Sequence, residues 1–286
     1  MCNASRCLQG RPPHHQDDHL RFERIMNGRQ WEKILRGADI YFKVFGNEDR
    51  DEVPVETFPY AAICAIHVEG HKRTNGEAVL SRGTGFLISP TRVVTAGHVL
   101  DDVDFRSETG VVIPQCTATN ERLGRHPIAP TAVTYFRDWQ HSYRYEDDLA
   151  VVKLPGPGVV IGEYLTLEAA SDADIRRAPV EIAGYPTCVG ADCENGVNDL
   201  PDAFRGRVMY AHNQKIAYLS PTQIYSEIDT WAGQSGAPML AIALGNDKVI
   251  GVHCRGARQS HPDAHAKTHN STLRLTTERI NWIRSI

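Results

Sequence analysis

From about Tyr60 onward the chain predicts an all-β fold closed by a C-terminal helix, and three observations carry that expectation. Short β-branched and apolar runs recur along it, separated by clusters of Gly, Pro, Asn and Asp, which is the texture of a barrel or sandwich. The length of 286 residues leaves room for a substantial core, either one large β domain or two barrels of about 100 residues each. The tail TTERINWIRSI offers Thr276 as an N-cap and Glu278 in the first turn, where a hydroxyl acceptor and a negative charge favour helix initiation.

Taken in order, residues 1 to 19 are polar and rich in His, Asp and Pro, and predict disorder. Leu20, Phe22, Ile25, Met26, Trp31, Ile34 and Leu35 recur at helical intervals before Gly37, so 20 to 35 predict one amphipathic helix. The strand candidates are AAICAIHV, GTGFLIS, RVVTAGHVL, GVVIPQC, DLAVVKL, PVEIAGYP, QIYSEID, APMLAIAL and KVIGVHC. A formal charge of −4 offers no basic surface for nucleic acid. No apolar stretch approaches the roughly 18 residues that a membrane helix needs, so neither nucleic acid nor membrane is an expected partner. Seven cysteines leave at least one thiol unpaired in a monomer. Cys188 and Cys193 are near enough in sequence to bridge a loop, whereas Cys64, Cys116 and Cys254 fall in or near strands and read as free core thiols.

Three segments carry chemistry: TAGHV around His98, DDLAVV around Asp148 and GQSGAP around Ser235. A serine hydroxyl is a poor nucleophile until an imidazole takes its proton, and a carboxylate steadies that imidazole. A histidine alone carries little among 13, but a strand pattern delivers His98. Asp148 is preferred to Asp147 because the apolar run LAVVKL follows it directly and reads as a buried strand. Gly233 and Gly236 permit the tight turn around Ser235 that aims the Gly233 and Ser235 amides inward as an oxyanion hole. The order His, Asp, Ser differs from the Ser, Asp, His and Asp, His, Ser orders of other serine hydrolases. Such a site needs no metal or organic cofactor. His261, His265 and His269 recur every four residues, as metal ligands on a helix would. Pro262 and the polar surroundings instead predict a solvated loop.

With these motifs the chain resembles the chymotrypsin superfamily of serine peptidases. That resemblance implies two Greek-key six-stranded β-barrels with a C-terminal helix, 44–165 carrying His98 and Asp148 and 166–286 carrying Ser235. The disulfide that many relatives place around the catalytic histidine cannot form, because Val99 stands where they carry cysteine. The stretch VFGNEDRDEVPVETFPYAAI, with GTGFLIS, TAGHV, GYP, DTWAGQSGAP and GVHCRG, is most similar to bacterial glutamyl endopeptidases and covers most of residues 44 to 286. On that likeness residues 1–43 match a pro-segment, removed by an activating protease cutting near Lys43 to free the Val44 amine; a permanent N-terminal extension is the other reading. The family implies an extracellular protein acting on protein or peptide substrates. No apolar signal-peptide core is visible in residues 1 to 19, which leaves a cytoplasmic location open.

Specificity in such enzymes is set before the nucleophile and on the strand opposite. Thr230, His253, a freed Val44 ammonium and Arg255 together favour an acidic side chain on the acyl side of the scissile bond. An imidazole titrating near its ordinary value would make that preference pH-dependent. Asp229, six residues before Ser235, instead suits a trypsin-like Lys or Arg pocket. A non-catalytic binding protein on the same scaffold is the reading from another class.

Overall fold

The computed structural model describes residues 44–102, 104–117, 120–189, 206–257 and 263–286. The predicted disordered start and the helix over 20–35 lie outside them, as do Cys193 and His261. The strands are β1 (Asp51–Glu52), β2 (Ile63–Lys72), β3 (Ala78–Ser89), β4 (Arg92–Thr95), β5 (Phe105–Pro114), β6 (His126–Ile128), β7 (Val133–Tyr135) and β8 (Ala150–Lys153). They continue with β9 (Thr166–Leu167), β10 (Val180–Gly184), β11 (Tyr210–Gln214), β12 (Ile216–Leu219), β13 (Gln223–Ser226), β14 (Pro238–Ala241), β15 (Lys248–Arg255) and β16 (Asn270–Arg274).

These strands form two curled antiparallel sheets, each a half-barrel. The first runs β6-β5-β2-β3-β4-β8-β7, and the second runs β1-β11-β10-β14-β15-β16-β13-β12 with β9 added in parallel beside β15. All-β architecture is therefore as expected, but the sheets hold seven and nine strands rather than six each. The excess consists of pairings two or three residues long, such as β1, β6, β7 and β9, too short to show a hydrophobic period.

The longer strands form where the apolar runs lie. Ala150, Val151 and Val152 of β8 are buried without interruption, and β8 lies between β4 and β7. Ile66, Phe86, Val94 and Val151 of the first sheet share one apolar cluster with Ala183, Val252 and Leu273 of the second. Each such side chain taken out of water contributes about 1.5–3 kcal/mol. That shared cluster is what packs one sheet against the other. Cys64, Cys116 and Cys254 are free buried thiols, and Cys188 is disulfide-bonded.

The C-terminal helix spans Thr277–Ser285, with the Thr276 hydroxyl accepting from the Arg279 amide at 3.4 Å. Ile280 and Ile283 bury its inner face, and Trp282 meets Phe136 edge-on at 5.1 Å. Arg279 donates to the carbonyls of Arg274 and Glu146, which ties the helix to the loop leading to Asp148. Among the described residues no helix is long and apolar enough to cross a membrane.

Candidate active site

His98 lies on a four-residue helix, Gly97–Leu100, that begins just after β4 ends at Thr95. Glycine is needed at position 97 because a Cβ there would come within 2.7 Å of the Trp139 indole nitrogen. The turn presents two groups of His98 to one carboxylate. Its backbone N–H donates to Asp148 Oδ1 at 2.9 Å, and its ring Nδ1 lies 2.8 Å from Asp148 Oδ2. An ionised carboxylate only accepts, so Nδ1 carries the proton and Nε2 is left as the basic nitrogen.

Asp148 is fully buried. Burial alone would raise its carboxyl, but His98, then Arg255, and the hydrogen bonds from His98 outweigh it and hold the group at about 2. Arg255 Nη2 donates to Asp148 Oδ2 at 3.1 Å, and its guanidinium lies 4.3 Å from the centre of the Tyr145 ring. Arg255, which the sequence offered as a cation for the substrate, thus bonds Asp148 through one of its donors. The neighbouring Asp147 bonds Arg137 at 3.2 Å instead.

Ser235 sits in a turn that only glycines can close. Gly233 and Gly236 have φ of +97° and +87°. A Cβ on Gly233 would lie 2.3 Å from the Tyr185 carbonyl, and one on Gly236 would lie 2.0 Å from that of Thr84. Thr84 of β3 is the crosspiece: its amide donates to Ser235 O at 2.8 Å and its hydroxyl to Gly233 O at 2.7 Å. With those carbonyls taken by Thr84, no protein acceptor among the described residues takes the Gly233 or Ser235 N–H. Ser235 Oγ donates to Cys254 O at 3.4 Å, and no hydrogen bond joins it to His98. The two residues share neighbours nonetheless. Cys254 Sγ contacts Asp148 O at 3.5 Å, and a Cβ on Gly236 would meet Thr95 Oγ1 at 2.2 Å and the Ala96 amide at 3.1 Å.

Thr230 and His253 are fully buried; Thr230 Oγ1 has no protein hydrogen-bond partner, and the His253 ring nitrogens have none beyond a weak contact with the Ser271 backbone. Burial, and then repulsion from His98, lower His253 to about 3, with the Ser271 backbone pulling the other way. The expectation of an imidazole near its ordinary value is thus corrected: the ring is neutral near pH 7.

Both carboxylate oxygens of Asp229 accept a backbone amide. Oδ1 accepts the Phe45 amide at 2.7 Å and Oδ2 the Asp49 amide at 3.0 Å, inside a fully buried environment. His212 Nδ1 lies 3.6 Å from Oδ2 and accepts the Asp229 amide at 2.9 Å. These contacts turn the Asp229 carboxylate toward the 45–49 segment. Val44 is buried beside Phe45, next to the loop that leads to Thr230. Of the spaced histidines, His265 stacks on Tyr218 at 3.6 Å, and among the described residues no group of three or more His, Cys, Asp or Glu is arranged as metal ligands.

A family model described as a trypsin-like peptidase domain matches residues 83–252, more than half of the chain and all three motif segments. The chain belongs to the trypsin-like peptidase family. This peptidase is thus a serine endopeptidase of the chymotrypsin superfamily, a hydrolase of peptide bonds. It is 25% identical over 239 residues to a glutamyl endopeptidase of Bacillus licheniformis, covering 82% of this chain and 66% of that one. It is 23% identical over 248 residues to a Bacillus subtilis protein named extracellular metalloprotease, covering 84% of this chain and 68% of that one. The peptidase therefore spans about two-thirds of the length of these relatives. Among solved structures, a Glu endopeptidase in complex with MPD has a TM-score of 0.63 at 21% identity, covering 85% of this chain and 98% of that one. A scabies mite inactivated protease paralogue has a TM-score of 0.56 at 15% identity, with coverages of 82% and 97%. At those identities the likeness is one of fold.

Proposed function

We propose that the peptidase cleaves on the carboxyl side of glutamate, and less readily of aspartate, through His98, Asp148 and Ser235. As Ser235 Oγ attacks the peptide carbonyl, its proton passes to His98 Nε2. The Gly233 and Ser235 amides stabilise the oxyanion, and Asp148 steadies the imidazolium. The proton then goes to the leaving amine, and water activated by His98 releases the acyl group. For that transfer Ser235 Oγ must leave Cys254 O and bond His98 Nε2, and such contacts commonly tighten when substrate binds. In this reading residues 44–165 and 166–286 are the two barrels, with the site between them.

One observation carries the acidic preference: Thr230 Oγ1 is buried without a protein partner and the buried His253 ring has only the Ser271 backbone bearing on it, while Asp229, the rival, already accepts two backbone amides. Buried donors without acceptors suit an oxygen-rich side chain. Because His253 is neutral before binding, a bound carboxylate would draw one proton onto the pair, whereas glutamine would draw none. Otherwise identical peptides with Glu, Asp, Gln, Arg or Phe at the acyl position should therefore rank Glu first, and the Glu to Gln ratio of kcat/KM should fall as pH rises from 6 to 9. Ser235→Ala, as control, should lose on the order of 10⁵–10⁶ in kcat and keep its fold. A clear Arg winner sinks the pocket assignment. An intact, processed chain that never labels with a fluorophosphonate favours the non-catalytic binding role.

Phe45 is anchored on Asp229, which would hold a Val44 amine freed by an activating protease next to the specificity loop. N-terminal sequencing of active material should then begin at Val44; an active chain retaining Met1 would make residues 1–43 a permanent extension.

A further inference from the structure

Arg50 is 5% exposed, and a buried guanidinium is stable only where its donors are met. Glu48 takes its Nε at 2.6 Å and, through the other carboxylate oxygen, its Nη2. Its Nη1 reaches across the molecule to Gln234 Oε1 at 3.0 Å. Gln234 is fully buried and immediately precedes Ser235.

That contact falls on the turn that shapes the oxyanion loop. Gln234 closes the turn twice, its amide donating to Trp231 O at 3.0 Å and its Oε1 accepting the Trp231 amide at 2.9 Å. Gly233 lies within the closed turn, at φ +97°. Arg50 thus bonds the same oxygen that staples the loop, and Glu48 restricts where the guanidinium can sit. The strap that carries Arg50 is anchored a second time, because Asp229 accepts the Phe45 and Asp49 amides. Just beyond it, β1 pairs with β11.

We propose that Arg50 is a positioning residue for the oxyanion loop: held by Glu48, it fixes the Gln234 side-chain carbonyl, and through it the turn that aims the Gly233 and Ser235 amides. It rests on the assignment of those two amides as the oxyanion hole. Residues 45–50 then govern the acylation rate without touching substrate, and the acid-binding side chains Thr230 and His253 are left unaltered.

The test measures acylation, by fluorophosphonate labelling rate and by the burst with an ester substrate, on the full chain before and after processing. Arg50→Met should lower acylation and kcat on the order of 10–100-fold, less than the roughly 10²–10³ that loss of a whole oxyanion donor costs, with KM near wild type. Gln234→Met should do the same, and it serves in place of Arg50→Met should that variant not fold. Gln234→Glu keeps an acceptor for Arg50 and should retain most of the rate. A folded Arg50→Met or Gln234→Met chain that acylates at the wild-type rate while melting at a lower temperature would make the contact purely structural and overturn the proposal. A wild type that never labels sinks the serine-nucleophile reading, and this assignment with it; a wild type that labels beside an unaffected variant sinks this assignment alone.

Discussion

Asp148 shows how a single buried charge is made tolerable. Its carboxylate is fully buried, yet it is held ionised at about 2 because His98 and Arg255 both face it. Removing one partner of a buried pair leaves an uncompensated charge, which costs about 3–5 kcal/mol. Arg255→Met should therefore lower the urea-unfolding free energy by about 3 kcal/mol and reduce kcat, with Arg255→Lys recovering part of both. Unchanged stability in Arg255→Met would mean that His98 alone suffices to keep Asp148 charged. Sequence favoured Asp148 over Asp147 because an apolar strand follows it, and Asp148 is the one that bonds His98. Sequence did not show Arg255 as the counter-charge to Asp148, because 107 positions separate the two and nothing local to GVHCRG specifies a partner.

At the scale of elements, the turn around Ser235 is a steric construction. Backbone of β3 and the end of β4 come so close to Gly236 that a methyl group there would overlap Thr84 O and Thr95 Oγ1, and a φ of +87° is itself unfavourable for any side chain. Gly236→Ala should destabilise the protein by about 2–4 kcal/mol through combined strain and overpacking. It should also abolish labelling of Ser235, because relief of the clash moves the loop off Thr84. Wild-type labelling with an unshifted melting temperature would show that the turn can relax at no cost. The glycines were legible in GQSGAP as turn formers. Thr84, whose hydroxyl bonds Gly233 O and accepts the Tyr185 amide at 3.0 Å, was only one residue of a strand pattern until the second sheet came against it.

Across the whole molecule, buried histidines make stability depend on pH. Burial, and then Arg82, lower His67 to about 4, although the Gly206 carbonyl near its Nε2 opposes the shift; His253 lies at about 3. Both are depressed from an ordinary 6.5, so the unfolded chain binds more protons than the folded one below that pH. Their contribution is complete above 6.5 and is lost as pH falls toward 4 and 3. Asp148, depressed from 3.8 to about 2, has the same sign over a lower window. The melting temperature should fall continuously from pH 6.5 to 3, and His67→Gln should flatten the upper part of that decline. A melting temperature unchanged between pH 7 and 4 would show that these rings gain water or a partner on protonation.

Sequence by itself determined the all-β class, the strands that alternate or bury continuously, the capped C-terminal helix, and the three segments bearing His98, Asp148 and Ser235. Each is written in a local period or in turn chemistry, which act over a few residues and need no knowledge of the rest of the chain. Tertiary structure alone decided that Arg255 serves Asp148, that Asp229 binds the amides of Phe45 and Asp49, that His253 is neutral, and that Arg50 reaches Gln234. Those outcomes depend on which groups meet, and lose water, after segments as far as 184 positions apart have folded together. A side chain's type sets what it can bond, but only the fold sets what lies within 3 Å of it.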